Sequence, residues 1–122
     1  MKTPEFQFEK LRVYMMARDL VKDVYLLQKQ FPKEERFALS SQVRRSITSV
    51  VANIAEGSSR ISLKEKNHFI EISYGSLLEA FSELQMAQDL GYISKESLDA
   101  LRLNFYDVAR MLSGLRKVVN ER

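Results

Sequence analysis

The chain has 122 residues, 45% of them apolar and 29% charged, with a formal net charge of +3. That length suits one domain around one core, and the absence of Cys excludes a disulfide framework, a thiolate metal site and a cysteine nucleophile. Only two Pro and four Gly leave room for few turns, which points to a small number of long helices. No apolar run approaches the roughly 20 residues of a membrane span. The opening MKTPEFQFEKLR lacks the continuous apolar core of a signal peptide. A cytoplasmic protein with no membrane contact is expected.

In chain order, residues 1–8 form a lead-in whose Phe6 and Phe8 can pack on one end of the domain. The first helix is predicted over 9–30. Val13, Ala17, Leu20, Val24, Leu27 and Phe31 recur at spacings of four and three, the seam of a helix in a bundle. Pro32 ends it, because the residue before a proline is pushed out of the helical region. The second helix, 40–57, places Val43, Ile47, Val50 and Ile54 on one stripe and Gln42, Arg45, Ser49, Asn53 and Glu56 on another. Most of its other positions are small, so it reads as the central helix, with Ser40 as N-cap and Gly57 as a left-handed C-terminal residue.

Ser62 and Glu65 match a capping box and open the third helix, 62–90. Its apolar face is Ile70, Tyr74, Leu77, Phe81 and Leu84, and Gly75-Ser76 within it suggests a close helix crossing. Gly91 terminates it. The fourth helix, 94–120, keeps Leu98, Leu101, Phe105, Val108, Leu112, Leu115 and Val119 in three-four spacing. Four helices with short connections make an all-α, antiparallel up-down-up-down four-helix bundle that occupies residues 1–122 as a single domain.

The charge is unevenly held. Residues 62–90 set two basic groups against five acidic ones, whereas 9–31, 37–60 and 94–122 are each net basic. Such contrast suits helix pairing within a chain or between copies. Phe6, Phe8, Tyr14, Tyr25, Phe69, Tyr106 and Met111 add more apolar surface than one such core readily hides, so self-association is expected.

The residues offer little chemistry. Glu65-x-x-His68 has metal-ligand spacing, but a di-metal bundle needs a second such motif and further glutamates, and the chain has one His. Catalytic residues, metal ligands and cofactors are therefore expected to be none, and the protein is read as not an enzyme. Glu79 and Glu83, a turn apart, read as a solvated pair or as partners for a neighbour's Arg. Gly57-Ser58-Ser59-Arg60 reads as a helix-to-helix turn rather than a phosphate loop. Gln42, Arg45, Asn53 and Glu56 read as an enclosed structural or interface network. Arg44, Arg110, Arg116, Lys117 and Arg122 are the candidate nucleic-acid contacts. No aromatic-and-basic surface motif for reading bases is visible, so little sequence preference is expected.

Phe31-Pro32, Glu35 to Leu39, Ser41 to Ser46 and Asn53-Ile54-Ala55-Glu56-Gly57 together resemble the four-helix-bundle family encoded in intervening sequences of bacterial 23S ribosomal RNA genes. Tyr74 to Glu79 and Leu90-Gly91-Tyr92-Ile93 extend the likeness, which spans about residues 8–118. Ala38 and Ser46 depart from the family's common glycine and alanine. The resemblance implies a ring, with a homopentamer as the expected assembly. It also implies kinship with the accessory protein of diversity-generating retroelements, a basic pentamer that binds nucleic acid and a reverse transcriptase. RNA or DNA, a reverse transcriptase or another protein, and further copies of itself are thus the partners it implies. It brings no catalytic residues. The expected function is a non-enzymatic oligomeric bundle associated with nucleic acid, the rival being a protein-interaction ring that binds none.

Overall fold

The computed structural model describes residues 3–121, with side chains as far as residue 116. Among the described residues there are four α-helices and no strand: α1 (Arg12–Leu27), α2 (Leu39–Ser58), α3 (Leu63–Asp89) and α4 (Lys95–Glu121). Ser46–Glu83 with Val50–Ser73, and Arg102–Phe81 with Arg116–Tyr74, pair ascending with descending positions, so α2–α3 and α3–α4 are antiparallel. The four-helix bundle expected from the spacing is present.

The three-four seams converge on one core. Val13, Ala17, Leu20, Val24 and Leu27 of α1 are buried, as are Val43, Ile47, Val50 and Ile54 of α2 and Leu98, Phe105, Val108 and Leu112 of α4. Removing a side chain such as Leu20, Ile47 or Leu84 from water stabilises the fold by about 1.5–3 kcal/mol. On α3 the buried set is Ile70, Ser73, Leu77, Ala80, Glu83, Leu84 and Ala87. Tyr74 and Phe81, placed on the apolar face by spacing alone, are only partly covered. Val119 lies outside the described side chains.

Helix ends differ from expectation in three places, before α1, after α1 and at the start of α2, while the start of α3 is capped as expected. The stretch before α1 is a 3-10 turn, Gln7–Lys10, held by the Phe6 amide donating to Glu9 Oε2 at 2.7 Å. The α1 helix stops at Leu27 and tightens into a second 3-10 turn, Gln28–Gln30. Ser40 is not the N-cap of α2: the helix starts at Leu39, whose amide donates to Glu35 Oε2 at 3.0 Å, and Ser40 is buried one residue inside. Ser62 caps α3 by accepting from the Glu65 amide at 3.1 Å, the serine half of a capping box.

The glycines are also reassigned. Gly57 is a buried helical residue, not a left-handed terminator, and a Cβ there would lie 2.8 Å from Phe69 Cβ. The close crossing of α2 and α3 is therefore at Gly57. At Gly75, where it was expected, a Cβ would meet nothing within 4 Å. Gly91 does terminate α3, at φ +79°. There the Tyr92 amide donates to the Ala87 carbonyl and the Gly91 amide to the Gln88 carbonyl, both at 2.9 Å, which closes the helix end as a Schellman motif.

Candidate functional site

The seam between α2 and α3 holds most of the buried polar chemistry. The small residues of α2 let α3 approach, and hydroxyls fill the remaining space. Ser73 Oγ donates to the Val50 carbonyl at 2.8 Å, Ser49 and Ser76 hydroxyls meet at 2.9 Å, and Ser46 Oγ donates to Glu83 Oε1 at 2.8 Å. Glu83 retains only 5% of its exposure. Burial raises its carboxyl above the ordinary value, with the Glu79 charge adding to the rise; the Ser46 hydrogen bond and Arg45 oppose it. Glu83 is thus an internal acceptor, not half of a solvated pair with Glu79. The sequence did carry a signal for it: Ser76, Ala80, Glu83 and Ala87 run at four-three-four spacing along the face that meets α2.

Gln42, Arg45, Asn53 and Glu56 do not form one network. Asn53 Nδ2 donates back to the Ser49 carbonyl and hydroxyl at 2.8 and 2.9 Å. Glu56 pairs with Arg60 at 2.9 Å near the surface. Gln42 and Arg45 line the mouth of a polar groove of about 590 Å³, with Glu79 and Glu83 across from them. The turn after α2 is structural, as expected: Ser58 and Ser59 hydroxyls donate to the Ala55 and Glu56 carbonyls, and Arg60 lies 4.7 Å over the Phe69 ring.

The candidate nucleic-acid contacts are not gathered in one place. Arg44 sits in the first half of α2 and donates to the Arg36 carbonyl at 3.0 Å. Arg110 and Arg116 lie in the second half of α4, toward the opposite end of the bundle. Arg110 is exposed beside Asp107 at 3.6 Å, and Arg116 lies 5.3 Å over the Tyr74 ring. Arg122 lies outside the described residues and the Lys117 side chain outside the described side chains. An aromatic-and-basic surface does exist, contrary to the sequence reading. Tyr74 and Phe81 of α3 meet Phe105 and Tyr106 of α4 in a groove of about 200 Å³, with Arg102 4.9 Å over Phe81. These residues are far apart in sequence, so only the α3–α4 pairing reveals them.

Among the described residues, no group of three or more His, Asp or Glu side chains is placed to hold a metal ion, and His68 packs edge-on to Phe69. No described helix is long and apolar enough to cross a membrane.

Fold and seam define an antiparallel four-helix bundle whose second and third helices are locked by hydroxyl and carboxylate contacts. The chain belongs to the 23S rRNA-intervening sequence protein family, whose model matches residues 9–114. It is similar in fold to a protein of unknown function of the S23 ribosomal protein family from Bacteroides thetaiotaomicron. That likeness has a TM-score of 0.77 at 23% identity, over 86% of this chain and 98% of the other. No curated protein matches the chain.

Proposed function

We propose that this protein is a non-enzymatic subunit of a head-to-tail homo-oligomer, a ring of five copies, that associates with nucleic acid. The observation that supports assembly is a pair of uncovered surfaces with opposite charge. Between α1 and α2 lies a groove of about 660 Å³ with Met15, Val21 and Val51 along it and Arg18, Lys22 and Asp19 at its rim, a balance of one positive charge. The outer stripe of α3 carries Glu71, Glu79 and Asp89 beside Ile72 and Met86, which stay 37% and 44% exposed. Gly75 lies in that stripe with open space above it, so a neighbouring chain can come close there. Two different surfaces that fit each other generate a ring when the rotation closes.

Nucleic-acid association rests on the α4 arginines and on charge multiplication. Five chains of +3 make a particle of about +15, and repeated weak contacts add in effective concentration. A specific observation favours the second reading, a ring that binds only protein. Arg44, Arg110 and Arg116 each already face an intramolecular partner.

Light scattering tests assembly: a mass of one 14.2 kDa chain at micromolar concentration overturns it. Gly75→Gln should strengthen the isolated helix by up to about 1 kcal/mol yet dissociate the ring. Labelled structured RNA and duplex DNA then test the ligand. About five neutralised phosphates would cost two to three decades of affinity between roughly 50 and 200 mM salt. Absence of binding to either at about 10 μM leaves the protein-interaction reading.

A further inference from the structure

We propose that the α3–α4 face is a stacking platform for single-stranded nucleic acid, an inference that rests on the nucleic-acid reading above and gives it a ligand class. Tyr106 is 66% exposed and stands at the lip of the aromatic groove, whose floor is closed by Leu77 and Phe105. Along α4, Arg102, Tyr106 and Arg110 recur every fourth residue, so the backbone position of the exposed ring lies one helical turn, about 6 Å along the axis, from that of an arginine on either side. Arg102 and Arg116 lie over Phe81 and Tyr74 at 4.9 and 5.3 Å from the ring centres. The groove thus offers a free ring, two arginine-covered rings and a row of cations on one surface.

This combination is what a single strand needs. Its phosphates are met by cations along the row, and its unpaired bases stack on an aromatic face. A duplex keeps its bases stacked on each other, so it gains nothing from the Tyr106 ring and meets only the charge of the arginines. The acidic partners already present do not block the surface. Asp99 faces Arg102 at 3.4 Å in an exposed pair, and Asp107, itself half-buried, faces an exposed Arg110 at 3.6 Å. Such pairs are weak and exchange readily for phosphate. With Lys95 and Asp89 beside Arg102 counted, four cations (Lys95, Arg102, Arg110, Arg116) stand against three aspartates (Asp89, Asp99, Asp107), so the row keeps a positive balance, which suits a polyanion rather than a basic peptide.

The chain contains no Trp, so Tyr106→Trp places a sole indole at the platform of the intact protein. The probes are a labelled oligouridine of about 20 nucleotides, longer than a typical single-strand site, and a duplex of equal length. The single strand should bind about tenfold more tightly than the duplex. Tyr106→Ala should weaken single-strand binding by about tenfold or more and leave duplex binding and particle mass unchanged. The indole of Tyr106→Trp should be quenched as the oligouridine saturates. Equal affinity for both probes, an unaffected Tyr106→Ala, or an unquenched indole at saturation overturns the platform while leaving charge-driven binding in place. Failure of both probes to bind overturns the platform together with the nucleic-acid reading.

Discussion

Ser46 on α2 donates its hydroxyl to Glu83 on α3 across 2.8 Å, and that single contact ties a carboxylate with almost no exposure to the central helix. Ser46→Ala should cost about 1–3 kcal/mol, because the remaining acceptor is buried without its partner. Glu83→Gln keeps an acceptor for Ser46 and removes the charge. The raised carboxyl of Glu83 sets the sign of its pH effect. Its stabilising contribution is complete below the ordinary value of 4.5 and is lost as pH rises through its higher folded-state value. Melting curves should therefore show Glu83→Gln gaining on the wild type from pH 4 upward. A pH-independent difference between the two would refute this assignment.

Three glycines should respond in three ways to alanine. Gly57→Ala must displace Phe69, and overpacking of that kind costs about 1–3 kcal/mol, more than the helix propensity gained. Gly91→Ala forces a side chain into the left-handed region at a cost of about 1–2 kcal/mol. Gly114→Ala, with open space and ordinary φ, should stabilise by up to about 1 kcal/mol. Urea midpoints distinguish the three, and stabilisation by Gly57→Ala would remove the proposed crossing.

Asn53 and Glu56 should behave differently from each other. The Glu56–Arg60 pair retains exposures of 52% and 37%, so Glu56→Ala should change stability by no more than about 0.5 kcal/mol. Asn53 holds two contacts to Ser49, and its replacement by Ala should cost about 1 kcal/mol. Equal, large losses in thermal unfolding would restore a single connected network.

Glu35 uses both oxygens, one on the Leu39 amide and one on the Tyr92 hydroxyl at 2.9 Å. Glu35→Gln and Tyr92→Phe should therefore be non-additive in a double-mutant cycle, whereas Glu35→Gln with Tyr106→Phe should be additive. Additivity in the first pair would mean that the carboxylate does not join the α2 start to the α3–α4 turn.

The bundle was legible because apolar spacing is periodic within a helix: the seams of α1 and α2 are the buried residues they were expected to be. Gly91 was legible for a related reason, since a terminating glycine acts locally. Gly57 and Gly75 were not, because the value of a glycine inside a helix depends on which neighbour crosses it. Glu83 was hidden by its own charge, which outweighed its position on the small-residue face. The Tyr74, Phe81, Phe105 and Tyr106 cluster is formed by tertiary pairing, and periodicity within either helix is silent about it.

The contacts from Ser46–Glu83 through Ser49–Ser76 and Ser73–Val50 to Gly57–Phe69 run nearly the length of the α2–α3 seam. The α1 and α4 helices join the core chiefly through apolar seams, which have no directional partner to hold them once water enters. Sub-global opening should then release the outer helices while the central pair persists as the last cooperative unit. In native-state amide exchange, the slowest protons should cluster between Val43 and Ile54 and between Ile70 and Leu84, and the protein's resistance to full unfolding should be set by that pair.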